Sequence, residues 1–113
     1  MLSSKYRFHS RGGVKYTYRN GKNIRTAKIS LVYNQNIKNK QRFAVVVSKK
    51  VMKSAVGRNR IRRRIYEAIR FNLDKLNKPF DCIFVVYSSD FISMPFSDIY
   101  DTISGLFEQI VIK

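Results

Sequence analysis

Apolar and polar positions along the chain fall into segments of different period, and these periods predict the elements. From Thr26 to Tyr33, apolar Ile29, Leu31 and Tyr33 alternate with Lys28, Ser30 and Val32, the pattern of a half-buried strand. Phe43 to Val47 is a continuous valine-rich run, apolar on both faces, which predicts a central strand. Ser54 has the chemistry of an N-cap. Beyond it Ile61, Ile65, Ala68, Ile69, Asn72 and Leu76 recur at helical spacing, with Leu73 at the margin. Pro79 would end that helix. Phe80 to Tyr87 predicts a second central strand through Ile83, Phe84, Val85 and Val86. Ser97 is positioned to cap a last helix whose Ile99, Ile103, Leu106, Phe107 and Ile110 form a core face.

The opening of the chain is less sharply patterned. Met1 to Arg11 is polar and basic with Tyr6 and Phe8 interleaved, a lead-in arm. In Gly12 to Asn20, Val14, Tyr16 and Tyr18 alternate as in a strand, yet Val14 and Tyr18 are also four apart, as on one helix face; both readings stand. Asn20-Gly21 marks a turn and Asn34 to Gln41 a polar loop. There is no internal repeat or low-complexity segment. The order of elements predicts one domain over residues 1–113, an α/β (α+β) sandwich with a roughly four-stranded sheet and about three helices.

Charge changes the picture more than composition does. Lys and Arg number 23 against 7 acids, a formal net charge of +16, and no acid precedes Glu67. Six of the seven acids follow Arg70, where the only basic residues are Lys75, Lys78 and Lys113. A small domain this basic repels itself unless an anionic partner offsets the field. On the long helix, Arg60, Arg63, Arg64 and Arg70 fall opposite the apolar stripe, with Asn59 and Glu67 among them, so one side is for the core and the other for a partner. Cys82, the single cysteine, sits in an apolar run and reads as a buried, inert thiol. No stretch reaches the ~20 apolar residues of a membrane span, and the N-terminus lacks an apolar signal region, so a cytoplasmic protein is expected.

Residues for protein-borne catalysis are lacking. A nuclease acting alone needs clustered carboxylates for metal or a histidine pair for proton transfer. His9 is the only histidine, Asp98 and Asp101 suit the first turn of a helix, and Asp81 and Asp90 read as turn residues at strand ends. The informative stretch is Phe43 to Arg70, FAVVVSKKVMKSAVGRNRIRRRIYEAIR. Its strand delivers Ser48, Lys49 and Lys50, a connector brings Lys53, and the helix start presents Arg58, Asn59, Arg60, Arg62, Arg63 and Arg64. Guanidinium forks fit phosphate and base edges, and helix N-terminal amides favour phosphate. A merely solvated basic face is the plain alternative, but five arginines within seven residues repel strongly with one acid in range.

This stretch resembles the protein subunit of bacterial ribonuclease P. The family's strand ends in a Ser-Lys-Lys-like turn, followed by an alanine, Arg-Asn-Arg, an aliphatic residue, a basic pair and Glu-Ala. Here these are Ser48-Lys49-Lys50, Ala55, Arg58-Asn59-Arg60, Ile61, Arg62-Arg63 and Glu67-Ala68. Leu2, Arg7 and Phe8 are similar to the family's opening, and Asn20-Gly21 precedes its first long strand. Tyr66 stands where the family usually has a basic residue, and Gly57 where a larger one is common. Gly12-Gly13 falls where the family's first helix begins.

The resemblance implies a role in removing the 5′ leader of precursor tRNA, with catalysis and Mg2+ held by the RNA subunit, the protein inactive alone and binding no cofactor itself. It implies docking on ribonuclease P RNA through Lys49, Lys50, Lys53, Arg58, Asn59, Arg60, Arg62, Arg63 and Arg64. It implies a leader cleft between the first helix and the sheet, with Arg7, Val14, Tyr18 and, from the strand, Val32 or Tyr33. It also implies a left-handed β-α-β crossover, no membrane and no obligate protein partner. A ribosomal protein, a DNA-binding basic protein and a stand-alone nuclease are the rival classes. For RNA binding through ~6–10 phosphate contacts, affinity should fall ~10³–10⁵-fold between about 50 and 200 mM salt, measurable by filter binding to folded RNA.

Overall fold

A computed structural model of the chain describes residues 6–7, 11–36 and 40–112. Leu2, Phe8 and His9, singled out above, lie outside the described residues. The elements are α1 (Arg11–Asn20), β1 (Lys22–Arg25), β2 (Ile29–Gln35), β3 (Arg42–Val47), α2 (Ala55–Asn72), β4 (Phe80–Val86) and α3 (Phe96–Ile112). Short 3-10 turns occupy Leu73–Lys75 and Ser89–Ile92. The four strands form one sheet in the order β1-β2-β4-β3. β1 with β2 and β2 with β4 are antiparallel; β3 with β4 is parallel. Helix α2 is the crossover that the parallel pair requires.

Strand periodicity assigns the two sheet faces. Ile29, Leu31, Tyr33, Phe43, Val45, Val47, Cys82, Phe84 and Val86 join the main core with Ile61, Ile65, Ala68 and Ile69 of α2 and Ile99, Ile103, Leu106, Phe107 and Ile110 of α3. Phe107 lies 6.0 Å from the ring centres of both Phe43 and Phe84. The opposite face carries a smaller cluster, Val32 and Ile83 with Val14, Ala44 and Val85, where α1 packs on β2 and β4.

Several sequence expectations are corrected. The ambiguous Gly12–Asn20 segment is helical, and α1 ends in a close approach to β2. Gly21 N–H donates to the Thr17 carbonyl at 2.8 Å, and a Cβ on Gly21 would stand 2.5 Å from that oxygen and 2.8 Å from the Tyr33 carbonyl. The predicted strand from Thr26 to Tyr33 is β2, shifted to Ile29–Gln35, and a short strand that was not expected, β1, precedes it. Thr26 turns the chain, its backbone N–H and hydroxyl both directed to the Ile29 carbonyl, which leaves β1 before it. Phe43–Val47 is an edge strand, not a central one, so its second apolar face is open. Of the two runs expected to be central, Phe80–Val86 is, beside β2 as the other interior strand. Helix α2 stops at Asn72, well before Pro79, and buried Asn72 turns its side-chain amide back to the Ala68 carbonyl at 2.9 Å. Helix α3 starts at Phe96, with the Pro95 carbonyl accepting from Asp98 N–H at 3.0 Å, so Ser97 is inside it and does not cap it. The Ser54 cap stands as expected, accepting from Gly57 N–H at 3.1 Å.

Asp81 is not a turn residue. It lies within β4, buried, and accepts two hydrogen bonds of 2.7 Å from Arg42 at the start of β3. Asn36, just beyond β2, donates to the same carboxylate at 2.8 Å. The pair therefore ties three strands at one level. Removing one partner leaves a buried charge uncompensated, which costs about 3 kcal/mol. Arg42→Met and Asp81→Leu should each lose roughly that much in urea unfolding, and the double variant clearly less than the sum.

Candidate RNA-binding surfaces

Helix α2 has one apolar stripe, so its side chains divide cleanly at about 100° per residue. Gly57, Ile61, Ile65, Ala68, Ile69 and Asn72 are buried. The outermost line is Val56, Asn59, Arg63, Glu67 and Arg70, with Arg60, Arg64 and Phe71 on one flank and Arg62 and Tyr66 on the other. Lys49, Lys50 and Lys53 are exposed in the connector before the helix start. The nine residues expected to meet the catalytic RNA are thus brought to one end and one side of the molecule.

Those arginines are not equivalent. Arg64 donates to the Phe91 carbonyl at 2.7 Å and the Met94 carbonyl at 2.6 Å, and Arg60 donates to the Ile92 carbonyl at 3.1 Å. Together they clamp the 3-10 turn before α3 onto α2. Arg58 reaches back to the Met52 and Lys53 carbonyls at 3.0 and 2.8 Å, bracing the connector. Arg62 donates to the Asn59 side-chain oxygen. Arg63 points outward and is exposed. A guanidinium has five N–H donors, so an arginine holding one or two carbonyls still presents others to phosphate.

The two departures from the family pattern have structural accounts. A Cβ on Gly57 would stand 2.7 Å from the Met52 side chain, so glycine here lets the connector lie against the helix start. Tyr66 accepts from the Val45 backbone N–H at 3.3 Å, satisfying the open edge of β3. The Arg7 guanidinium lies 5.2 Å over its ring, which returns a cation to that position. Burial raises the Tyr66 phenol above its ordinary range. Glu67, hydrogen-bonded by Arg70, is held down to about 2.

The second surface is on the other side of the sheet. Val14 and Val32 meet there around Ile83. Tyr18 is 46% exposed beside them, and burial and then the neighbouring Tyr87 raise its phenol. Because α1 packs chiefly on β2 and β4, the outer face of β3 stays largely open, with Val46 40% exposed and Ala44 partly so. Tyr87, 48% exposed, is oriented by a 2.9 Å hydrogen bond between its hydroxyl and Ser30. This is an apolar and aromatic floor beside a helix.

Two of the five expected leader residues are elsewhere. Tyr33 is one residue out of phase with Val32, so it faces the core, buried edge-on against Phe80 at 6.0 Å. Arg7 forms a bridge to Phe43 and lies at the β3 edge against α2's Tyr66. Val46, Val85 and Tyr87 lie on the same open face and were not among the expected residues. The valine run did signal a second apolar face on β3, but that face was read as buried.

Other features are structural. Cys82 is free and buried, its thiol pushed up by burial. Asp90 pairs with Lys28 at 3.1 Å, which lowers its carboxyl. Among the described residues, no three His, Cys, Asp or Glu side chains cluster to hold a metal ion, and no helix is long and apolar enough to cross a membrane.

A sequence model of the Ribonuclease P family matches residues 2–111. The chain is 37% identical to the ribonuclease P protein component of Clostridioides difficile over 95 residues, 81% of this chain and 80% of that protein. It is 40% identical to that of Chloroflexus aurantiacus over 68 residues, 60% of this chain, and the match spans only half of that relative's length. The fold is similar to the RNase P protein from Thermotoga maritima, with a TM-score of 0.81 and 22% identity over 91% of this chain and 96% of that one. The Staphylococcus aureus RNase P protein gives 0.79 and 21% over 93% and 94%.

The two roles of the arginines are separable. Arg64→Ala should lower unfolding free energy by about 2 kcal/mol through its two charge-assisted bonds, and Arg63→Ala should stay within roughly 0.5 kcal/mol of the parent. Thermal melts of the purified variants check both.

Proposed function

The chain belongs to the ribonuclease P protein family, and on that premise we propose that it serves as the protein subunit of the endoribonuclease. It docks on the catalytic RNA through the outward side of α2 and grips the 5′ leader of precursor tRNA beside α1. The observation that carries this reading is the pair of unlike surfaces on opposite sides of one sheet. One is rich in guanidinium groups and suits a folded polyanion. The other offers Tyr18, Val46 and Tyr87 as exposed apolar ground, suited to unpaired bases.

Each surface has its own work. Catalytic RNA and precursor are both polyanions, and a +16 protein between them screens their repulsion. The leader, being single-stranded, can lay its bases on aromatic rings, whatever their sequence. Mature tRNA lacks that segment, so the grip favours substrate over product. Mg2+ belongs to the RNA subunit in this reading. In keeping with that, Asp81, Asp90 and Glu67 are already engaged by Arg42, Lys28 and Arg70.

The test is cleavage of a 5′-extended precursor tRNA at low magnesium by a bacterial ribonuclease P RNA, with and without the protein. The protein should restore accurate cleavage and do nothing alone. Tyr18→Ala should reduce the preference for precursor over mature tRNA by roughly 5- to 100-fold, the loss of one stacked base. Tight binding of the RNA without restored cleavage would make the chain a structured-RNA-binding protein with no part in processing.

A further inference from the structure

Beyond the Arg-Asn-Arg turn of α2, the helix carries an exposed aromatic that neither surface uses. Phe71 is 50% exposed, although the chain is otherwise able to bury its phenylalanines Phe43, Phe84, Phe91 and Phe107 almost completely. Its ring meets Phe96, at the start of α3, edge-on at 6.0 Å and 75°. The Arg70 guanidinium lies 4.3 Å from the Phe71 ring centre. One turn back, Arg63, Arg64, Glu67 and Phe96 line an open hollow of about 300 Å³. The stems of the two arginines and the Phe96 ring make its walls largely apolar.

The chemistry of this hollow selects a base and not a phosphate. Its wall is largely apolar, and the Glu67 carboxylate there is paired with Arg70 at 2.5 Å, so the hollow offers an apolar seat to the face of a base. Arg63 lines the hollow and is exposed, where a phosphate flanking an inserted base would be, while Arg70 pairs with Glu67 and lies over the Phe71 ring. Phe96 supplies the stacking surface, with Phe71 edge-on against it. The hollow lies on the outward arginine line of α2, at Arg63 and Glu67. It lies on the sheet face opposite α1, so a leader held beside α1 is on the other side of the molecule.

We propose that the hollow of Arg63, Arg64, Glu67 and Phe96, with Phe71 edge-on at its side, is a pocket for one unpaired, flipped-out nucleobase of the catalytic RNA. This rests on the reading of α2 as the RNA-docking helix and extends that contact from phosphate grip to base recognition. A base in the pocket would fix the register of the protein along the RNA, which a set of phosphate contacts by itself leaves free to slide.

The chain has no tryptophan, so Phe71→Trp places a single indole beside the pocket, against Phe96. Titration with a bacterial ribonuclease P RNA transcript should quench its selectively excited emission, and a single-stranded leader oligonucleotide should not. Phe71→Ala and the milder Phe71→Leu should each weaken binding of the transcript by roughly 5- to 100-fold with the salt slope unchanged. Arg63→Ala should instead lower the slope by about one phosphate contact. Unaltered affinity in both Phe71 variants, with Arg63→Ala still weakened, overturns the pocket and leaves the docking helix. Unaltered affinity in all three overturns the docking helix and the pocket with it. Quenching by the leader oligonucleotide, or undiminished emission in a tight complex with the transcript, overturns the assignment of the base.

Discussion

The parallel pairing of β3 with β4 is the constraint on which the other features depend, and the Arg42–Asp81 pair locks it. Two adjacent parallel strands cannot be joined by a tight turn, so the chain must leave the sheet and return through a helix. That helix is α2, and its apolar stripe directs it to the face already lined by Phe43, Val45, Val47, Phe84 and Val86. Once docked there, its opposite side has to face outward, and the arginines go with it. The same pairing makes β3 the sheet edge, while α1 packs chiefly on β2 and β4. The exposure of Val46 follows from that position.

Charge is distributed to suit this arrangement. Five arginines near the start of one helix would repel one another to no purpose if all were alike. Arg58, Arg60 and Arg64 instead spend donors on carbonyls of the connector and of the turn before α3. Each carbonyl is a dipole that partly offsets the positive field where it is densest. Basic residues therefore build the surface that they also charge, and binding and folding share side chains here. Four of the seven acids lie on β4 and α3, and Asp81 on β4 pairs internally with Arg42.

Much of the fold was legible in the sequence because burial on a single face imposes a period. The core faces of α2 and α3, the central strand Phe80–Val86 and the Ser54 cap all follow from local spacing and local hydrogen bonding. The Arg-Asn-Arg turn was legible for another reason, since a short motif keeps its residues adjacent in any fold. The failures share a cause too. An apolar run cannot say whether its second face will be covered, so β3 was read as central. Alternation says that Val32 and Tyr33 face opposite ways but not which of them meets α1. Asp81 has no sequence neighbour that reveals a partner 39 residues away.

By itself, then, the amino-acid order determined which residues are apolar together, where the positive charge is concentrated, and which family the chain resembles. All three are properties of neighbours along the chain, set by side-chain chemistry and repeat distance. Only the tertiary structure decided which arginines are free and which are internal clamps, that Tyr33 is core while Tyr87 is surface, and that Phe71 comes to Phe96 across two helices. Those outcomes depend on which elements end up side by side. That is settled by strand order and by the packing of helices on one face or the other, between residues tens of positions apart.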